Sequence, residues 1–402
     1  MRVIVAPSGF KECLEAPEVA SAIAAGIRRV DPLATVDEVP LVDGGEGTAR
    51  AMAAATGGRL VPVTVTGPVG RPVTAHLALL GGPGPRTAVV EMAAAAGLRL
   101  VPADARDPGA TTTRGVGDLI RAALDEGARR ILVGCGDSGT CDGGAGALQA
   151  LGAHVRDSHG REIGLGGHAL LDVSDVDPGG LDPRLREVEV LVACNPHNVL
   201  TGPRGVARVF GPQKGATPRQ VEHLSAAMDR WAAVLHQRFG ADLRRVPGGG
   251  ASGGLGAGLA AALGARLVPR FEVLLPHLDL EGRLRHADLV VTAEGAIDAQ
   301  TPRGKVPAEV ARLAKRHGKP VIALAGTIGD GAQNTYASGI DAYTGILDAP
   351  LPLPEAIRRA PELLTDAAEH ALRLILVGAS LARTTSPSLD AGARRECVVV
   401  TP

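Results

Sequence analysis

The sequence predicts an α/β protein of two α/β domains, and three observations carry that prediction. Short apolar runs at 3–6, 131–133 and 289–292 each empty into a turn and then a helical pattern. That is the order of a βαβ unit built on a parallel sheet. The chain has 402 residues, more than one hydrophobic core of ordinary size requires. Its pattern changes between Leu60 and Val90 to shorter, turn-rich strands, and a return is expected near residue 280. The expected partition is 1–70 plus 285–375 as one discontinuous α/β domain, 71–284 as an inserted α/β domain, and 376–402 as a tail of uncertain order.

In chain order, the strand at 3–6 leads through Pro7–Lys11 to a helix with Val19, Ile23, Ile27 and Val30 on one face. A second strand, 35–42, ends in Asp43–Gly47 before a helix over 48–55. Val89-Val90-Glu91 puts a carboxylate at the end of an apolar strand, and Thr111–Thr113 is a loop and N-cap for a helix over 116–124. The strand at 131–133 opens into a loop rich in glycine, followed by a helix over 145–151. A strand at 188–193 ends on Cys194-Asn195-Pro196-His197. Thr217-Pro218 is an N-cap with a first-turn proline. The helix it starts carries Val221, Leu224, Met228, Trp231 and Leu235 at helical spacing, which makes Trp231 a core residue. Gly248–Gly258 opens an alanine-rich helix. The strand at 289–292 delivers Glu294–Asp298 and then Thr301–Lys305, before a helix over 308–316 and a strand over 320–325. The helix from Glu355 contains Pro361 and is expected to kink there.

Composition narrows the function. A net charge of −1 excludes a large basic surface for nucleic acid or an acidic membrane. One Trp, two Tyr and four Phe leave little with which to stack bases. No apolar run reaches spanning length and the chain opens directly on a strand, so a cytoplasmic protein with no membrane partner is expected. A homodimer stays open. The five cysteines have no CxxC spacing and read as reduced thiols.

A strand emptying through a glycine loop into a helix N-terminus is a physical device for binding anions. Residues 134–146 fit that description, with Asp137 and Asp142 of the right sign for a divalent cation riding on a phosphate. A Gly-x-Gly-x-x-Gly match alone is weak in a chain with 54 glycines, and such loops also serve as tight turns. Repetition argues for more, because Asp43–Gly47 and Asp142–Gly146 share a D-G-G-x-G core and Gly249–Gly258 is a third cluster. Of 42 Lys plus Arg only Lys11, Lys214, Lys305, Lys315 and Lys319 are lysine, and the first three stand in Gly/Pro-punctuated segments. A compact ammonium there is a candidate phosphate contact.

Taken together, APSGFKE (6–12), DGGEGT (43–48), VEMAAAAGL (90–98), TTTRGVGDLI (111–120), CDGGAG (141–146), FGPQKGAT (210–217), GGLGAG (253–258) and AEGAIDAQTPRGK (293–305) resemble the class I glycerate kinase family. The resemblance runs from residue 1 to about 370. It implies a parallel-sheet, Rossmann/flavodoxin-like domain made from both chain ends, with a second α/β domain inserted. It also implies ATP and Mg²⁺, with transfer of the γ-phosphoryl to a hydroxyl of a small hydroxy acid, usually the 2-hydroxyl of D-glycerate. On that reading Lys11, Asp43, Glu294, Asp298 and Lys305 are the catalytic candidates. Asp43, Glu294 and Asp298 are also candidates for metal ligation, and the sequence does not divide metal and base roles among the acids. Gly136, Ser138, Asp142, Gly143, Gly144, Lys214, Gly253 and Gly254 are candidates for the nucleotide. Ser8, Glu46, Arg114, Asn195 and Arg303 are candidates for the acceptor. Neither the standard P-loop nor the protein-kinase motif set is present, and a nicotinamide site lacks its acid after the second strand.

Four loops depart from the family pattern. Where the family reads APDSFKGS, Ser8, Gly9 and Glu12 replace the acid, the serine and the glycine. GGSATNDGG becomes Gly136–Gly144, and CDVDNPL becomes Cys194–Leu200, with loss of two carboxylates. GEGRID becomes Ala293–Asp298, with loss of an arginine that Arg114 is a candidate to replace. The expected acceptor is D-glycerate, or else a related small hydroxy acid or a polyol-type acceptor. The alternative is a weakened homologue that binds nucleotide in a regulatory role.

Overall fold

The computed structural model describes residues 1–10 and 13–385, with side chains as far as residue 381. Lys11 and the last residues of the expected tail lie outside the described residues.

The chain starts with β1 (Arg2–Val5), α1 (Ala16–Val30), β2 (Thr35–Glu38) and α2 (Thr48–Thr56). It continues through β3 (Arg59–Thr66), β4 (Pro72–Leu79), β5 (Thr87–Glu91), α3 (Met92–Ala96), α4 (Arg114–Asp125) and β6 (Arg130–Gly134). Next come α5 (Ala145–Ala150), β7 (His154–Asp157), β8 (Val173–Asp177), β9 (Glu189–Cys194), α6 (Val206–Phe210) and α7 (Pro218–Phe239). Then follow α8 (Ala251–Leu263), β10 (Arg266–Pro269), α9 (Arg270–Leu274) and α10 (Leu280–Leu284). The described residues close with β11 (Leu289–Ile297), α11 (Val306–Arg316), β12 (Val321–Ile328), β13 (Ala342–Gly345) and α12 (Leu353–Thr385).

The first sheet has the order β13-β12-β11-β1-β2 and is parallel throughout. The second has the order β10-β9-β6-β5-β4-β3, four parallel strands carrying an antiparallel hairpin at one edge. A separate hairpin, β7–β8, completes the strands. The central strands are the ones with unbroken apolar runs: β5 is buried at every position and β6 at all but its first residue. Parallel strands covered by helices on both faces need that composition.

Three cores follow. The outer face of the first sheet packs on α1 and α12. Gly26 lets those two helices touch, since a Cβ there would overlap the Thr365 carbonyl. The outer face of the second sheet packs on α4, α5, α7 and α8 around Trp231, which is fully buried as its spacing predicts. Between the sheets lies a shared core that joins Val290 and Val321 of the first to Val89, Leu132 and Ala193 of the second, with Met52 of α2. The two lobes are thus packed through apolar side chains beneath the strand ends.

Some boundaries differ from the expectation. β3 already pairs in the second sheet, so the change of sheet falls between Glu38 and Arg59 instead of near residue 70; the return falls between Pro269 and Leu289. β11 runs five residues past its expected end at 292, which puts Glu294 on a strand. α12 contains Pro361 and continues to Thr385, beyond the point where a tail was expected.

Candidate active site

The C-terminal end of β11 gathers most of the expected chemistry. Lys305, the N-cap of α11, reaches back to Ala296 O (3.1 Å), Asp298 Oδ1 (3.2 Å) and Glu294 Oε1 (3.8 Å). Its position is held by the loop between. Asp298 Oδ1 accepts from Gln300 N (2.8 Å), and the buried Thr301 hydroxyl accepts from Asp298 N (3.0 Å). Ser8, at the end of neighbouring β1, puts both its N–H and its hydroxyl on Ala293 O, beside Glu294.

A chain of contacts runs from this group into the second lobe. Gly304 O accepts from Arg270 Nη2 (2.6 Å), and Arg270 Nη1 pairs with Asp43 Oδ2 (2.9 Å). Asp43 Oδ1 accepts from Gly45 N (3.2 Å), which fixes the turn of the Asp43–Gly47 loop. The next N–H, that of Glu46, donates to Asp137 Oδ2 (3.1 Å). Gly44 lies against the backbone of Gly134 and Cys135, with φ +86°, so a side chain is excluded there on both counts. Asn195, at the end of β9, donates to Arg303 O (3.3 Å). Lys214 is buried and donates to Ser138 Oγ and Thr140 O (both 2.7 Å). Desolvation pulls its pKa down to about 8.

Not every candidate joins this line. Asp142 is fully buried and accepts from the N–H of Thr113, Gly144 and Gly146 and from the Thr113 hydroxyl. Burial raises its pKa against those bonds. It organises the loop from inside and presents no oxygen to a ligand. The three threonines are likewise internal: Thr111 bonds Gly139 O, Thr112 accepts from Arg114 N, and Thr113 accepts from Ala147 N in the first turn of α5.

The glycine corners are closed in the same way. Gly143, Gly144, Gly253 and Gly254 are buried against one another, with Gly143 N donating to Gly253 O (2.9 Å). A Cβ on Gly143 would meet the Trp231 ring, whose Nε1 donates to Gly143 O (2.9 Å). These glycines let α5, α7 and α8 cross closely, and only Gly136, Asp137 and Ser138 of the loop reach the surface. Arg114 begins α4, where its backbone N–H donates to the Thr112 hydroxyl (3.1 Å). Glu46 is half-exposed and pairs with Arg99 (2.8 Å).

The glycerate kinase family model matches residues 3–376. The chain belongs to the glycerate kinase family. It is 46% identical over 384 residues to a glycerate kinase of Bacillus subtilis (strain 168), covering 96% of this chain and 99% of that protein. It is 45% identical over 378 residues to a glycerate 2-kinase of Escherichia coli (strain K12), covering 94% and 99%. The crystal structure of a candidate glycerate kinase 2 from Salmonella typhimurium LT2 superposes with a TM-score of 0.78 at 45% identity, over 94% of this chain and 99% of that one. The chain is therefore an enzyme of the glycerate kinase type, a phosphotransferase.

A kinase of this family needs a nucleotide. Among the described residues no group of three or more His, Cys, Asp or Glu forms a metal cage. Mg²⁺ in phosphoryl transfer is held by one or two carboxylates together with the phosphates it rides on, so the Glu294 and Asp298 pair fits such a metal. Lys305 beside them fits the phosphate charge. Among the described residues no helix is long and apolar enough to cross a membrane.

Sequence reasoning missed Arg270. It follows Pro269 at the C-terminal end of a parallel strand, the edge where such sheets place their ligands. That position was the available signal.

Proposed function

We propose that this member of the glycerate kinase family transfers the γ-phosphoryl of ATP to the 2-hydroxyl of D-glycerate, with Mg²⁺ as cofactor and in the cytoplasm. The observation that carries the reading is the Lys305 ammonium set between two carboxylates, Glu294 and Asp298, at the open end of a parallel sheet. Phosphoryl transfer asks a protein for positioned charge more than for covalent chemistry, and this group supplies charge of both signs within one side chain's reach. The name glycerate 2-kinase, carried by the Escherichia coli relative, supports the position of transfer.

The geometry supports a division of roles. Glu294 and Asp298 would hold Mg²⁺, which when bound neutralises phosphate charge. Lys305 balances those carboxylates and places a cation beside the transferred group. Asp43, held by Arg270 on the facing lobe, accepts the proton of the acceptor hydroxyl. Ser8, Asn195 and Arg303 border the acceptor, and Lys214 with Ser138 stiffens the wall at the nucleotide end. The intact Glu294–Lys305–Asp298 group favours turnover over a nucleotide-binding homologue without chemistry.

The test is to incubate the protein with ATP, Mg²⁺ and D-glycerate and to follow the product with enolase alone. Enolase dehydrates 2-phosphoglycerate directly and needs a mutase before it can use the 3-isomer. The expected result is phosphoenolpyruvate formation without a mutase. Product that requires the mutase would move transfer to the 3-hydroxyl, and no product would refute the reading.

A further inference from the structure

A three-carbon hydroxy acid presents a carboxylate, and its two oxygens need a partner that the family's lost arginine does not provide here. Arg270 has the donors. A guanidinium carries five N–H groups in a rigid fork. Three of them are used, on Asp43 O (3.1 Å), Asp43 Oδ2 (2.9 Å) and Gly304 O (2.6 Å). Among the described residues Nε has no hydrogen-bond partner although it is buried, which leaves a costly unsatisfied donor. Nε and Nη2 together form the side edge of the guanidinium, the edge that matches two carboxylate oxygens.

The surroundings fit the same ligand. Arg270 is only 12% exposed and lies 5.0 Å from the centre of the Phe271 ring, so its charge is poorly hydrated and its plane is held. It lines a cavity of about 320 Å³ between the lobes, with Asn195, His197, Gly304 and Arg312. That volume is at the low end for a small-molecule site and suits a small acid better than a nucleotide. Glu309, also on the wall, is already paired with Arg312. Asp43, the proton acceptor proposed above, is held by the same guanidinium, so an acid bound on Nε and the remaining Nη2 N–H lies beside the base.

We propose that Arg270 receives the carboxylate of the acceptor and thereby selects hydroxy acids over neutral polyols. The proposal rests on the acceptor reading given above. Because Arg270 also holds Asp43, loss of rate alone would not decide it, and the test compares two acceptors. Arg270→Gln and Arg270→Lys, checked for folding by thermal melting, are assayed with D-glycerate and with glycerol, which keeps the hydroxyls and lacks the carboxylate. Glycerate binding without nucleotide is measured by calorimetry on the same proteins.

Arg270→Gln is expected to lower the preference for glycerate over glycerol by roughly 100-fold, the scale of one charged bidentate contact. It is also expected to weaken glycerate binding by a similar factor, with partial recovery in Arg270→Lys. An equal fall for both acceptors, or unchanged glycerate binding, would overturn the proposal and leave Arg270 as a positioning residue for Asp43. If the unsubstituted protein neither binds nor phosphorylates glycerate, the acceptor reading itself fails and this inference falls with it.

Discussion

Lys305 Nζ stands 3.2 Å from Asp298 Oδ1, with Glu294 Oε1 at 3.8 Å on the same ammonium. One cation therefore keeps two carboxylates together at the end of β11. Lys305→Met removes that balance from a partly exposed site and should leave the fold in place. The expected outcome is a fall in kcat of about 10²–10³, the loss typical of a single transition-state charge contact. Steady-state kinetics, with a circular dichroism melt as control, checks this. An unchanged kcat would take Lys305 out of the site.

Gly143→Ala should damage stability and not catalysis alone. The residue has φ +64° and faces the Trp231 ring, so a methyl group meets both backbone strain and overlap. A loss of roughly 3 kcal/mol or more is expected in denaturant unfolding. A melt like that of the unsubstituted protein would restore the view that this corner is open to a phosphate.

Those glycines show what the sequence could and could not tell. A phosphate cradle and a close helix crossing both require bare backbone, so D-G-G-x-G reads the same for either. What decides is the partner opposite, and Trp231 lies 88 residues away in sequence. Arg270 was hidden for a related reason: its Asp43 partner is 227 residues distant, and its place just past a strand end is the one local mark it carries. The early change of sheet was missed because β3 and β4 form a local hairpin, which can extend either sheet. Local matters were legible. The apolar runs of β5 and β6, the spacing that buries Trp231 and the Thr217 cap all follow from side-chain chemistry within a few residues.

Asp142→Asn tests the buried acid in the loop. An amide supplies one acceptor oxygen where the carboxylate has two, yet Thr113, Gly144 and Gly146 N–H and the Thr113 hydroxyl all point at it. At least one buried donor is left without a partner, at a cost of about 1–3 kcal/mol. A lowered midpoint with an unchanged KM for ATP is expected in parallel melts and kinetics. A raised KM with unchanged stability would make Asp142 a ligand contact.

Glu91 gives a pH signature. It is the buried last residue of β5, accepts from Gly47 and Ala49 N–H at the start of α2, and burial raises its pKa to about 7. Because the folded pKa lies above the unfolded one near 4.5, the folded state holds the extra proton between those values. Stability from this group is therefore present below about pH 4.5 and is lost as pH rises through 7. Urea unfolding of Glu91→Gln and the unsubstituted protein at pH 5 and pH 8 should show the variant losing less, by up to about 3 kcal/mol. Equal slopes with pH would contradict the burial assignment.

The most direct test of the central claim is ADP release measured with a panel of hydroxy acids, with and without Mg²⁺. The account predicts release that needs both Mg²⁺ and an acid acceptor, with D-glycerate effective. ADP release that is indifferent to every acceptor, or its complete absence, would contradict it.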